Sequence, residues 1–161
     1  MQFFVSSSFS KSFSLYGERV GALTIVTAGK DESARVLSQV KRVIRTNYSN
    51  PPTHGGAVVA AVLSSPELRR MWEDELAGMR DRIRAMRASL VEKLKTAGAS
   101  NFDFINVQRG MFSYTGLTVA QVEKMRAEYG IYAVGTGRIC VAALNTRNID
   151  YVATAIAAVL K

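Results

Sequence analysis

The sequence predicts an α/β chain in two parts joined by one long helix. Near the N-terminus, short apolar runs separated by turn residues read as strands. Between Trp72 and Leu94, apolar residues recur every three or four positions, the spacing of one helix face. Beyond Gly98 the texture changes to short elements broken by Gly, Asn and Thr. The chain has 161 residues, enough for one domain or two small ones. Its 48% apolar content supports a core and argues against disorder.

Taken in order, residues 2–5 read as the apolar end of a buried strand. The following Ser6-Ser7-Ser8-Phe9-Ser10-Lys11 is too polar to continue a core strand. Gly21 to Thr27 (GALTIVT) is a second strand, closed by Ala28-Gly29. Asp31 can cap a helix running to about Thr46, with Ala34, Leu37, Val40 and Ile44 on one face. Asn50-Pro51-Pro52 breaks the chain, and Ala57 to Leu63 reads as a buried helix segment. Ser65-Pro66-Glu67 starts a helix, with Ser at the cap and Pro at the first helical position. Trp72, Leu76, Met79, Ile83, Met86, Leu90 and Leu94 then line one face as far as Gly98. Such a helix is on the order of 40 Å long, a length that often connects two domains. Its many Arg and Lys read as a solvated face. Asn101–Val107 and Met111–Tyr114 alternate like strands around a turn at Gly110. Thr118 with Gln121 forms a capping box for a helix that ends at Gly130. Ile131–Val134 and Arg138–Leu144 read as strands, and Asn148–Leu160 as a last amphipathic helix.

Composition narrows the function. The formal charge of +8 could attract nucleic acid, but the basic residues are interleaved with acids and form no run, so no nucleic-acid partner is expected. The longest apolar run, Ala57–Leu63, is far short of the ~20 residues that cross a membrane, and the N-terminus does not read as a secretory signal. The one cysteine, Cys140, rules out an intrachain disulfide and fits the cytoplasm. With one histidine, His54, and no Cys/His cluster, no metal site is expected. Cys140 reads as a buried small hydrophobe, Phe13, Tyr16 and Tyr48 as core aromatics, Met79 and Met86 as helix-face packing, and His54 as a loop or capping residue.

The informative segment is Ser6 to Gly21. Lys11 sits there among hydroxyls and aromatics, with no acid nearer in sequence than Glu18. Partial burial would disfavour its ammonium form, and a neutral amine attacks aldehydes. Eight residues on, Arg19 offers a forked donor pair to a phosphate, and the serines add hydroxyls. An amine, an arginine and hydroxyls suit pyridoxal 5'-phosphate (PLP), a phosphorylated aldehyde. Taken alone, a lysine in a Ser-rich loop is more often a plain surface residue. Arg138 opens the apolar run Ile139-Cys140-Val141-Ala142, where a guanidinium needs an anion: a substrate carboxylate, or an internal Asp or Glu. Arg45 ends a helix before a Pro-containing turn, where its alternative role is to complete the helix dipole.

SFSKSFSLYGERVG resembles the PLP-lysine segment of fold-type I aminotransferases in the aspartate/aromatic amino-acid family. The resemblance continues through RTNYSNPPTHGG, RGMFSYTGL and GRICVAALN, in the family's order and over essentially the whole chain. SFSLYGERVG and GRICVAALN resemble the bacterial aromatic branch more than the aspartate branch. The resemblance implies the C-terminal part of a PLP-dependent transferase fold. Residues 1–66 would end the large cofactor domain, 67–97 would form the connecting helix, and 98–161 the small α+β domain.

It also implies roles. Lys11 would bind the cofactor as a Schiff base and shuttle the proton between substrate Cα and the cofactor. Ser8, Ser10 and Arg19 would hold the cofactor phosphate, and Ser49 would lie near the phosphate of the partner subunit in a homodimer. Arg138 would grip the substrate α-carboxylate, Arg45 would reach into the partner's site for a distal carboxylate, and Phe112 would line the pocket. The implied reaction moves an amino group between an aromatic or dicarboxylic L-amino acid and a 2-oxo acid, with 2-oxoglutarate as acceptor. Two alternatives stay open: an inactive truncated form, and a decarboxylase or lyase reaction on the same scaffold. Retention of both Arg45 and Arg138 favours transamination, because glutamate and 2-oxoglutarate each carry two carboxylates. In the family the N-terminal half supplies the aspartate at the pyridine nitrogen and the ring-stacking aromatic. The 161 residues alone are therefore expected to be incomplete for catalysis and to expose apolar surface at Phe3, Phe4, Val5 and 57–63.

Overall fold

The computed structural model describes residues 1–161. The chain divides into two compact units, Met1–Leu76 and Ala77–Lys161.

The first unit begins with β1 (Phe3–Ser8), paired antiparallel with β2 (Gly21–Val26) from Phe3↔Val26 to Ser8↔Gly21. The strand therefore runs through the serines that were expected to end it. Ladder hydrogen bonds come from the backbone, and both strands are largely exposed, so no apolar surround penalises the hydroxyls. Residues 2–5 are accordingly not a buried strand end but the exposed apolar surface expected of these 161 residues alone: Phe4 is 74% exposed.

Helix α1 (Lys30–Asn47) takes extended Gly29, not Asp31, as its N-cap; Asp31 and Glu32 lie in the first turn. The Glu32 carboxylate accepts from the Ala28 N–H at 2.7 Å and from the Gln2 amide at 2.6 Å, tying the start of the chain to the helix. These two bonds, the backbone one first, lower its pKa from the ordinary value. Val36, Val40 and Ile44 are half-buried, while Ala34 and Leu37, expected on the packed face, are exposed. Helix α2 (His54–Ser64) is present where an apolar helix was expected, but only Gly55 and Val59 are buried. Small Ala side chains fill much of it and most stay in contact with solvent.

Helix α3 (Pro66–Thr96) is one continuous element of 31 residues, about 46 Å at helical rise. The Ser65 hydroxyl caps it by accepting from the Leu68 N–H at 3.3 Å. Its end is closed by Gly98 at φ +87, with the Ala99 N–H on the Leu94 carbonyl at 2.8 Å, a left-handed termination.

The core of the second unit is built by Leu90, Val91 and Leu94 of α3, packed with Ile105, Val122, Met125, Val141, Ile149 and Ile156. Met86 packs at its edge, but Met79 is exposed. Helix α4 (Val119–Tyr129) has the expected capping box and ends at Gly130, φ +62. Helix α5 (Ile149–Val159) buries Ile149, Ala153, Ile156 and Val159.

Three expected strands are corrected. Asn101–Val107 forms a 3-10 turn at Asp103–Ile105, because Phe102 and Ile105, three apart, both turn into the core. Ile131–Val134 is irregular: Gly137 N–H returns to the Val134 carbonyl at 2.8 Å and closes a tight turn instead of extending a ladder. Arg138–Leu144 is strand only to Cys140. The Val141 N–H donates to the Met111 carbonyl at 2.8 Å, and Val141–Ala143 coils into a 3-10 turn that buries Val141. What remains is a ribbon of β3 (Phe112–Tyr114) and β4 (Arg138–Cys140), antiparallel.

Candidate active site

Lys11 lies in the connection between β1 and β2, residues 9–20. That loop is knit by the Phe13 N–H to the Phe9 carbonyl (3.2 Å), Ser14 N–H to Lys11 carbonyl (3.3 Å) and Glu18 N–H to Leu15 carbonyl (3.2 Å). The Phe9 N–H donates to the Val20 carbonyl at 3.2 Å and closes its neck. Ser14 and Arg19 both hold φ +55, the left-handed region that non-glycine residues rarely occupy.

The loop gathers the expected residues. Ser8 and Ser10 hydroxyls lie 3.2 Å apart, and the Ser10 N–H donates to Ser8 Oγ at 3.3 Å. Arg19 donates Nη1 to the Tyr16 carbonyl at 3.0 Å. Lys11 is exposed, not partly buried; its Nζ sits 3.9 Å from the Tyr16 ring centroid, a cation–π contact. Tyr16 is thus an exposed platform, not a core residue, and Tyr48 is exposed as well. The nearest acid in sequence, Glu18, is engaged by His54 Nδ1 at 3.1 Å, which gives the histidine a role the sequence did not reveal. Neither Lys11 nor Arg19 has an acidic partner. Gly55 permits the Glu18 approach: a Cβ there would stand 2.8 Å from Glu18 Cβ. An amine, a forked guanidinium and two hydroxyls at the end of β1 and on the loop after it, with the local carboxylate taken up elsewhere, suit an anionic aldehyde such as PLP.

The sequence missed what holds this loop. Trp72, read as helix-face packing, donates its indole N–H to the Ser12 carbonyl at 2.6 Å and stacks on Phe13 at 4.6 Å. Apolar periodicity cannot reveal a bond to a backbone carbonyl sixty positions away. Arg45 and Ser49 also meet: Arg45 Nη1 donates to Ser49 Oγ at 2.5 Å at the end of α1, and neither touches an acid.

In the second unit the pleat of the β3–β4 ribbon sorts its side chains. Ser113 and Ile139 are buried, so Phe112, Tyr114, Arg138 and Cys140 share the other face. The Arg138 guanidinium lies 4.9 Å from the Phe112 ring centroid. No Asp or Glu pairs with it, which removes the internal salt bridge left open by the sequence. Arg138 and Phe112 line a cavity of about 390 Å³ with Tyr132, Val134, Cys140 and Asn148. Cys140 is half-buried at its wall, not sealed in the core.

Gly137 sets the start of β4. It holds φ +80, and a Cβ would meet the Leu117 carbonyl oxygen at 2.7 Å. Its carbonyl accepts from the Thr115 N–H at 3.0 Å and the Thr115 hydroxyl at 2.8 Å. Gly137→Ala is expected to cost about 2–3 kcal/mol through backbone strain and contact. It should move Arg138 off Phe112, read as a lowered urea midpoint and changed side-chain shifts of Phe112. Wild-type stability in that variant would remove the glycine requirement.

Two further arginines, read from sequence as a solvated face, hold the ribbon and the turn that follows β4. Arg82 donates to the carbonyls of Leu144 (2.9 Å) and Ala142 (2.7 Å). Arg87, only 4% exposed, donates to the Gly110 carbonyl (2.6 Å) and Ser113 Oγ (3.3 Å).

The sequence profile of the family "Aminotransferase class I and II" matches residues 1–156. An aspartate aminotransferase of Pseudomonas aeruginosa is 69% identical over 161 residues, covering 99% of this chain and 40% of that protein. An aromatic-amino-acid aminotransferase of Escherichia coli is 53% identical over 157 residues, covering 97% of this chain and 40% of that protein. The crystal structure of an aromatic-amino-acid aminotransferase from Burkholderia pseudomallei, covalently bound to pyridoxal phosphate, is 76% identical with a TM-score of 0.94, covering 100% of this chain and 41% of that one. The chain thus spans about 40% of the length of the curated relatives it matches. A profile match over nearly every residue, with the Lys11 loop and the Arg138 ribbon each assembled, places the chain in the class I and II aminotransferase family.

Proposed function

We propose that the protein carrying this chain is a PLP-dependent aminotransferase. It would move an amino group between an aromatic or dicarboxylic L-amino acid and a 2-oxo acid, with 2-oxoglutarate as acceptor. The observation that carries this is Lys11: an amine without an acidic partner, on a loop that also presents Ser8, Ser10 and Arg19, in a chain of this family.

When bound, PLP supplies an electron sink for the bond broken at the substrate α-carbon. Lys11 would hold the cofactor through Nζ and, once the substrate's amine takes its place there, would be free to move the proton at substrate Cα. Arg19, Ser8 and Ser10 would hold the phosphate through charge-assisted and hydroxyl hydrogen bonds. Arg138 takes the substrate α-carboxylate in its fork, and Phe112 beneath it keeps the guanidinium in place and shields one side from water. In a homodimer, Arg45 would reach the distal carboxylate in the partner's site, and Ser49, which accepts from Arg45 here, would lie near the partner's cofactor phosphate. Residues 1–66 are assigned to the large cofactor domain, 67–97 to the connecting helix and 98–161 to the small domain. The setting is the cytoplasm, and no helix is long and apolar enough to cross a membrane.

The test is product analysis with PLP, 2-oxoglutarate and either phenylalanine or aspartate. Glutamate should form in step with the matching 2-oxo acid. Loss of carbon dioxide without glutamate would replace transamination with decarboxylation.

A further inference from the structure

We propose that Trp72 is a positioning residue for Lys11, holding the loop backbone so that Nζ meets the aldehyde of PLP; this rests on the proposed role of Lys11. A lysine Nζ stands at the end of four methylene groups, so its reach is set by where the backbone is fixed. The Lys11 side chain is exposed, with only the Tyr16 ring beneath its ammonium. The backbone around it is under tension, since Ser14 and Arg19 both sit at φ +55 without being glycine. Such conformations persist only where surrounding contacts impose them.

Trp72 supplies those contacts from α3. Its indole N–H donates to the carbonyl of Ser12, the residue directly after Lys11, at 2.6 Å in a part-buried setting. Its ring lies 19° from parallel on Phe13 at 4.6 Å, and Phe13 packs edge-on against Phe9 at 5.4 Å. One side chain therefore grips Ser12 and Phe13 and, through Phe9, both sides of Lys11. Hydrogen bond and stack act on different atoms, so they can be removed separately. Trp72 is the one tryptophan of these 161 residues.

The experiment follows covalent labelling of Lys11 in the protein carrying this chain. The Lys11 amine condenses with the aldehyde of added PLP, forming a C=N bond and releasing one water. Borohydride then delivers hydride to that carbon and fixes the label, which peptide mass analysis locates. Trp72→Phe keeps a ring on Phe13 but loses the N–H donor. Its labelling rate at Lys11 should fall by roughly tenfold to a hundredfold, the penalty of a misplaced nucleophile, while its melting temperature stays within a few degrees of wild type. Phe13→Leu keeps the donor and loses the stack; it should slow labelling in the same direction. That variant carries the test if Trp72→Phe does not fold. Equal labelling rates in wild type and in folded variants would overturn the positioning role and leave Lys11 in place. Absence of label on Lys11 in the wild type would instead overturn the cofactor reading and this inference with it.

Discussion

Replacing Arg138 by leucine is expected to lower kcat/KM for aspartate, glutamate, phenylalanine and tyrosine alike. Every α-amino acid presents the same α-carboxylate, and Arg138 is the guanidinium on the cavity wall with no internal acid to neutralise it. Losing the charge-assisted pair to the α-carboxylate is expected to cost about 2–5 kcal/mol, or about 30-fold to several thousand-fold. Arg45→Leu should behave differently. Arg45 stands exposed at the end of α1, satisfied by a serine hydroxyl, so a distal carboxylate can recruit it and an aromatic ring can leave it in water. Its loss should fall mainly on aspartate and glutamate and spare phenylalanine and tyrosine. Steady-state kinetics on the four substrates, with the protein carrying this chain, checks both variants. Equal losses for acidic and aromatic substrates in Arg45→Leu would make that residue structural.

Arg87→Ala is expected to destabilise the second unit by about 2–4 kcal/mol. The guanidinium is buried without a carboxylate and is held by the Gly110 carbonyl and the Ser113 hydroxyl. Desolvation first, and the nearby Arg109 charge second, lower its proton affinity; as an arginine it is nevertheless a cation at neutral pH. Truncation to alanine strands both acceptors and opens a cavity beside Leu90 and Val91. Arg87→Met fills the space and also removes a costly buried charge, so it should lose less. Urea denaturation compares them: the alanine variant should show the lower midpoint at an unchanged slope. A methionine variant as unstable as the alanine one would show that the hydrogen bonds, and not the filled volume, set the cost.

Legibility in the sequence followed the range of the interactions. The start of α3 at Ser65-Pro66, its end at Gly98 and the Thr118–Gln121 capping box are local chemistry, and each is present. Strand assignments failed where tertiary packing overrode local pattern: Phe102 and Ile105 answer to one core, and Val141 to the carbonyl of Met111. Residues 2–5 and 57–63 are apolar enough for a core, yet much of their apolar surface is exposed, as expected of these 161 residues alone, because apolar content says what a segment can pack against and not whether the partner lies within them. Lys11, Arg19, Ser8 and Ser10 stand close together in one motif, so their shared location at the end of β1 and in the loop after it follows from sequence alone, while their roles there are the proposal. The Glu18–His54 pair, the Trp72 bond to Ser12 and the buried Arg87 were not legible, since each joins positions between about 25 and 60 residues apart.

Lys11 as the amine that carries the cofactor is tested by treating the protein carrying this chain with PLP, reducing with borohydride and mapping the labelled peptide. One stoichiometric label is expected on the segment Ser8–Arg19, at Lys11, and none there or elsewhere in Lys11→Ala. A stoichiometric label that persists in Lys11→Ala, or that lands on another lysine in the wild type, would contradict it.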